Sequence, residues 1–417
     1  MHRTRAVARL RPAPGRKLPR ELRADRIGEL AAALPGGVRD PGFAGLLARI
    51  DDSYLHTVDR LELFVDGERA MASASAAIEA AEHEILIESY ILRDDGTGLE
   101  LKDRLAAARE RGVRVCVLAD AIGSFGTASR YWKELESHGV EVRLFHRLLP
   151  HPWYQFIRDH RKIVVVDRRI AFVGGMNIAD EYGSSRRAPD GLWRDTHVRV
   201  EGTAALELAV VFAEGWHRAG GRRLEFPAIE PRDDGDPRVL VLDSRPGRGH
   251  AETASVLAAI LAAARRTAWI TNAYFAPPRA AVRAMADAVR RGVDVRLLLP
   301  GPTDIPILRH AGHGYYEALL ARGIRIFEYQ PAVLHAKTLV ADDYVAVVGS
   351  SNLDFRSFRY NAECNLVILD EEFAGQLAAA FETDLENAVE IDRAAWARRP
   401  LLHRWGDAAA RALRAFL

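Results

Sequence analysis

The strongest constraint on this chain is a passage of sequence that occurs twice. His160-Arg-Lys-Ile-Val-Val-Val-Asp167 returns as His335-Ala-Lys-Thr-Leu-Val-Ala-Asp342, and Gly174-Gly-Met-Asn177 returns as Gly349-Ser-Ser-Asn352, both at an offset of 175 residues. Arg111-Gly-Val-Arg-Val-Cys-Val-Leu-Ala-Asp120 is echoed by Arg291-Gly-Val-Asp-Val-Arg-Leu-Leu-Leu-Pro300. His138-Gly-Val-Glu-Val142 is echoed by Arg322-Gly-Ile-Arg-Ile326. The period is far too long for a solenoid repeat and suits a domain, so two related lobes are expected.

Within the copies, buried-strand text alternates with helical text. EILIESYIL and VRVCVLAD read as buried strands, and Arg69–Ala81 and Leu99–Arg111 as helices, the second closed by Gly112. Apolar runs of this length between amphipathic helices predict an α/β fold with mixed or parallel sheets covered by helices. The expected segments are a basic arm and short helical stretch over 1–58, a first lobe over 59–219 and a Gly/Pro/charge-rich linker over 220–237. A second lobe over 238–391 and a tail over 392–417 follow. Cys116 and Cys364 sit in apolar runs and read as core thiols, not as a disulfide framework or a zinc site.

Lys plus Arg total 58 against 57 Asp plus Glu, a balance that disfavours a general nucleic-acid binder. Only five of the basic residues are Lys, and two of these, Lys162 and Lys337, fall at equivalent places in the repeat. Asn occurs six times, and Asn177 and Asn352 are again equivalent, each 17 residues past its His.

These residues make a chemical pattern. The segments after His160 and His335 are apolar and β-branched, so His and Lys at i and i+2 face one side of a strand. A second strand brings Asn177 or Asn352 back to the same end, and small residues at Gly175 and Ser350 let a ligand approach the backbone. Two imidazoles, two ammonium groups and two amides at an interface suit a phosphodiester. One His can attack phosphorus while the other serves the leaving alcohol. The cations and amides would hold the non-bridging oxygens. No metal or other cofactor is expected, because Lys repels a cation. Each His needs an orienting partner. Asp195 and Glu363, on the next strand of each copy, are expected to serve His160 and His335 in that order. Asp167 and Asp342 are expected to be structural, fixing the turn and nearby cations. His197 reads as an ordinary strand residue.

The duplicated His-Lys-Asp motif resembles that of the phospholipase D superfamily. HRKIVVVDRRIAFVGGMNIADEY, WRDTHVRVEG, ITNAYFAP, LHAKTLVADD and VVGSSNLDFRSFRYNAE are more similar still to bacterial cardiolipin synthases, over roughly Leu61 to Arg399. The resemblance implies two α/β/α lobes related by a pseudo-twofold axis, with one active site between them. It implies a phosphohistidine intermediate on His160, with His335 as acid and base and no metal. The implied reaction moves a phosphatidyl group from one phosphatidylglycerol to another and releases glycerol. Hydrolysis by the same chemistry is the near alternative, and nucleic-acid phosphodiester cleavage a more distant one.

No apolar run reaches the roughly 20 residues of a membrane-spanning helix. Peripheral contact with an anionic membrane surface is therefore expected, at the cytoplasmic face of a bacterial inner membrane. Three segments are candidates: the basic arm at 1–26, the aromatic loop Leu148–Phe156 and the tail Trp396–Leu417. A helical tail would place Leu402, Trp405, Ala409, Ala412, Leu413 and Phe416 along one side.

Overall fold

The fold was taken from a computed structural model. It describes residues 24–51, 53–146, 157–184, 187–188, 191–229, 235, 237–245, 252–400, 403, 405–407 and 410. The aromatic loop, nearly all of the basic arm and most of the tail lie outside these residues.

The first lobe contributes β1 (Leu55–Phe64), β2 (Glu84–Ser89), β3 (Arg114–Asp120), β4 (Glu141–Phe145), β5 (Ile163–Val166), β6 (Ile170–Gly174) and β7 (His197–Gly202). The second contributes β8 (Arg238–Ser244), β9 (Thr267–Asn272), β10 (Asp294–Pro300), β11 (Arg325–Tyr329), β12 (Lys337–Ala341), β13 (Val345–Gly349), β14 (Glu363–Leu369) and β15 (Ala388–Glu390). The strand order is β4-β3-β2-β5-β6-β7-β1 in one lobe and β11-β10-β9-β12-β13-β14-β8 in the other, so the duplication holds at the level of topology. Antiparallel pairing of β1 with β8 joins the lobes into one mixed 15-stranded sheet.

The repeated Arg-Gly-Val phrase has a local cause. Gly112 and Gly292 end helices Gly96–Glu110 and Arg279–Arg290 with φ of +88° and +92°. The next amide, of Val113 or Val293, then reaches back to the carbonyl of Ala108 or Ala288 and closes the helix end. The chain is thereby turned straight into β3 or β10. Every residue of β2 is buried, which explains why its centre, Ile85-Leu86-Ile87, is a continuous apolar run rather than an alternating one.

Helices Thr203–Arg218 and Glu371–Glu386 fill a central core shared by both lobes. Arg161, fully buried, also bridges the lobes: its guanidinium donates to Glu88 at 3.3 Å and to Asp243 on β8. Two corrections to the segment boundaries follow. Strand β1 begins at Leu55, inside the stretch expected to precede the first lobe. The helices at Ala24–Ala32 and Pro41–Asp51 join the core of the second lobe beside helix Glu252–Ala263, although they precede the first lobe in sequence.

The tail is tied to helix Pro306–Leu320. His310 Nδ1 lies 3.0 Å from Asp407, which also accepts from Arg399 at 3.0 Å. Asp407 and Ala410 are buried, whereas Trp405 is 73% exposed. None of the described helices is long and apolar enough to cross a membrane.

Candidate active site

Backbone pairing between the lobes builds the site. Asp159 bridges in parallel to Ala362, and Arg194 to Leu334. The amide of His160 donates to Ala362 at 2.9 Å, and that of His335 to Arg194 at 2.8 Å. Each histidine is thus laid beside the other lobe's chain, one residue before that lobe's carboxylate.

The consequence is a crossed arrangement. His160 Nδ1 lies 2.9 Å from Glu363, and His335 Nδ1 lies 2.7 Å from Asp195. This corrects the expectation that each carboxylate serves the histidine of its own copy. With Nδ1–H given to a carboxylate, each imidazole keeps a lone pair on Nε2 for chemistry.

Lys162 Nζ donates to the His160 carbonyl at 2.7 Å, and Lys337 does the same to the His335 carbonyl. All four side chains are buried. Burial, assisted by the neighbouring lysines, lowers both imidazole pKa values and takes His335 to about 3; Glu363 and Asp195 pull the other way. Burial brings Lys162 down to about 7 and Lys337 to about 8, partly offset by Glu363 and Asp195. Burial also works against the two carboxylates, but both are held below their ordinary range: Asp195 by the Lys337 charge and its contact with His335, Glu363 by its contact with His160 and the Lys162 charge. The site is therefore a set of buried bases beside lysines whose charge burial disfavours.

The two carboxylates are held differently. Asp195 accepts from the Thr196 amide at 2.7 Å and needs Gly175, where a Cβ would stand 2.1 Å from its Oδ1. The longer Glu363 is gripped by Ser350 at 2.6 Å, Ser357 at 2.8 Å and Asn361 at 3.2 Å. The Gly-for-Ser difference between the copies thus tracks the Asp-for-Glu difference. Both small residues support carboxylates, whereas they were expected to open the backbone to phosphate.

The paired asparagines also cross over. Asn177 gives Nδ2 to the Tyr182 hydroxyl at 3.0 Å, and that hydroxyl is 3.5 Å from His335. Asn352 is tied through its amide to Ser357, a Glu363 partner, and its buried Oδ1 has no partner among the described residues. Asp167 and Asp342 bind backbone amides across their hairpins. Asp167 accepts from the amides of Glu82, His83 and Glu84. Asp342 accepts from those of Arg265, Arg266 and Thr267. Each carboxylate locks a hairpin to the start of a neighbouring strand through backbone N–H groups, and the Asp342 carbonyl also accepts from the guanidinium groups of Arg39 at 3.3 Å and Arg266 at 3.0 Å. His197 is buried beside Asp195, with burial lowering it to about 4.

Aromatic walls were missed in the sequence. The Tyr90 ring lies 4.8 Å from that of His160, and Lys162 sits 5.2 Å from its centre. Tyr182, Trp193 and Tyr274 surround His335 at 5.5, 5.4 and 5.9 Å. Tyr90 and Tyr274 both follow equivalent strands, β2 and β9, but they are offset by one residue: Leu92 bridges Ile178 where Phe275 bridges Leu353, so an ungapped alignment of the copies does not pair them.

Among the described residues, one trio brings potential metal ligands together: His310, His313 and Asp407, with atoms within 4.8 Å of one another. It belongs to the tail contact, not to the paired histidines.

Paired His-Lys motifs on a duplicated mixed sheet, with one site built from both halves, define a phospholipase D-like protein. A family model described as "Cardiolipin synthase, PLD-like domain" matches residues 75–187 and 257–385. A cardiolipin synthase of Geobacillus kaustophilus is 34% identical over 88% of this chain and 74% of its own length. Cardiolipin synthase A of Pseudomonas aeruginosa is 37% identical over 84% and 72%. The chain belongs to the cardiolipin synthase family. In fold it is similar to a phosphatidylserine synthase of Haemophilus influenzae, with a TM-score of 0.70 at 13% identity, covering 94% of this chain and 100% of that one.

Proposed function

We propose that this protein is a phosphatidyltransferase that makes cardiolipin from two molecules of phosphatidylglycerol. The observation that carries the reading is the crossed pair His160–Glu363 and His335–Asp195 with a buried lysine beside each histidine, in a chain of the cardiolipin synthase family. The donor phosphate enters between Lys162 and Lys337, and its charge offsets the cost of keeping them protonated. The same charge raises the proton affinity of His335. His160 Nε2 attacks phosphorus, the bond to the glycerol leaving group breaks, and His335 gives that oxygen its proton. The hydroxyl of a second phosphatidylglycerol then loses its proton to His335 and attacks phosphorus, and the bond to His160 breaks. Asn177 and Asn352 supply amide donors to the non-bridging oxygens. Asp195 and Glu363 fix the tautomers and steady the imidazolium forms. The aromatic walls keep water from competing with the lipid alcohol.

The test is to incubate purified protein with phosphatidylglycerol vesicles and weigh the products by mass spectrometry. Cardiolipin and glycerol in equal amounts support the reading. Phosphatidic acid without cardiolipin would make the protein a hydrolase.

A further inference from the structure

Two exposed apolar loop tips stand at the end of the sheet that carries the histidines, one in each lobe. Phe125, 77% exposed, lies in the loop after β3. Ile305 and Ile307, 38% and 40% exposed, lie just after the equivalent strand β10. The ends of β3 and β10 sit at this edge because each runs parallel to β2 or β9, while β5 and β12 start there in the opposite sense.

The tips are fixed to the site by matching links. Ser124, next to Phe125, donates to the Tyr90 carbonyl at 3.2 Å and accepts from the Leu92 amide at 3.0 Å. Tyr90 is the ring against His160. Asp304, next to Ile305, accepts from the Tyr274 hydroxyl at 2.8 Å, and Tyr274 is a ring against His335. The chain thus runs tip, polar anchor, aromatic wall, histidine in both lobes, with unlike residues at the tip and the anchor. Phe in one copy and Ile in the other share apolarity and exposure but no sequence identity, so the loops keep a property rather than a text.

Exposed large apolar side chains grouped around a site mark a contact surface. Cations stand beside both tips: Arg130 is exposed at the start of the helix after Phe125, and Arg309, two residues past Ile307, is exposed while its guanidinium donates to Glu328 at 2.9 Å. Apolar tips with flanking cations match the interface of an anionic bilayer. A phosphate ester whose acyl chains remain in the bilayer reaches a buried histidine only if the histidine-bearing edge of the protein lies on that bilayer. We propose that Phe125 of the first lobe and Ile305 with Ile307 of the second form a two-point membrane contact that seats the active-site edge on a phosphatidylglycerol-containing bilayer. The proposal rests on the phosphatidyltransferase reading for its choice of lipid.

The experiment compares the full chain with Phe125→Asp, with Ile305→Asp/Ile307→Asp and with all three changes combined. Sedimentation with phosphatidylglycerol vesicles reads binding. Turnover is read on long-chain vesicles and on monomeric phosphatidylglycerol with six-carbon chains. Each loop variant should bind vesicles about tenfold or more weakly, and turnover on vesicles should fall with binding. Turnover of the short-chain lipid should stay within about twofold, since Asp at either tip leaves the site untouched. Vesicle binding and turnover equal to the parent in the triple variant would overturn the contact. So would a parent dimer that the Asp changes dissociate, which would make the tips a protein interface. Phe125→Trp keeps the proposal testable if an Asp variant misfolds: lipids brominated in the acyl chain should quench the added tryptophan, and no added quenching would overturn insertion. If the parent binds vesicles through these tips yet turns over neither lipid, the phosphatidyltransferase reading fails and the contact stands.

Discussion

Glu363, on β14 of the second lobe, accepts a hydrogen bond from Nδ1 of His160 in the first, at 2.9 Å. The relation is reciprocated by Asp195 and His335, so neither His160 nor His335 takes its carboxylate from its own lobe.

Glu363→Gln and Asp195→Asn should each cut transfer by about 10²–10⁴-fold, the usual worth of an oriented acid–base group. The amide keeps the shape but no longer fixes the Nδ1–H tautomer or steadies a charged ring. Steady-state turnover on phosphatidylglycerol vesicles, with circular dichroism to verify folding, checks this. A loss of less than threefold in either variant would contradict it.

Gly175 and Ser350 occupy equivalent positions but should respond unequally. Gly175→Ser puts a Cβ 2.1 Å from Asp195 Oδ1, so the carboxylate must leave His335, and activity should fall as far as in Asp195→Asn. Ser350→Gly removes one of several bonds to Glu363, and Ser357 and Asn361 remain. The expected cost is about 1.5–3 kcal/mol of stability, with activity retained to within about tenfold, the weight of a 1.4 kcal/mol misplacement. Turnover and urea unfolding of the two variants separate these outcomes.

Asp342→Ala should act on stability rather than chemistry. It strips the acceptor from three backbone amides, at 2.7, 2.7 and 2.9 Å. A loss of about 2–4 kcal/mol is expected from bonds to a charged group, with kcat per folded molecule unchanged. Urea unfolding and active-site titration test it; a large fall in kcat would make Asp342 part of the chemistry.

The lysines set opposite pH trends for stability and activity. Lys162 and Lys337 discharge near 7 and 8 in the folded protein, against 10.5 in the unfolded chain. Between those limits the unfolded chain holds more protons, so stability contributed by these groups rises with pH from about 7 toward 10.5. His335 behaves alike between about 3 and 6.5. Binding of the anionic substrate needs charged lysines, so kcat/KM for the free enzyme should fall as pH rises through 7 to 8. A profile of kcat/KM that stays flat across the lysine range would contradict the phosphate role.

The repeated phrases made the two-lobed fold, the paired histidines and the paired lysines legible. Gly112 and Gly292 repeat because helix ends need their backbone freedom, and the centre of β2 is a continuous apolar run because both its faces are covered. The crossing of the carboxylates was not legible. Asp195 follows His160 by one strand, and only the bridge from Arg194 to Leu334, a contact between lobes, delivers it to His335 instead. The lobe that the helices before Leu55 join was not legible for a similar reason: their packing against Glu252–Ala263 is long-range and leaves no periodic signal. Tyr90 and Tyr274 were present in the text, but single aromatics in strand-like runs look like core until their histidines are placed.

The central claim is one composite site in which His160 carries the phosphatidyl group while His335 moves the proton. Rapid quench of the enzyme during turnover of phosphatidylglycerol, followed by peptide mass spectrometry, tests it most directly. The account predicts a phosphorus-linked adduct on the peptide containing His160, absent in His160→Ala. An adduct on His335 alone, or full transfer activity in either histidine variant, would contradict it.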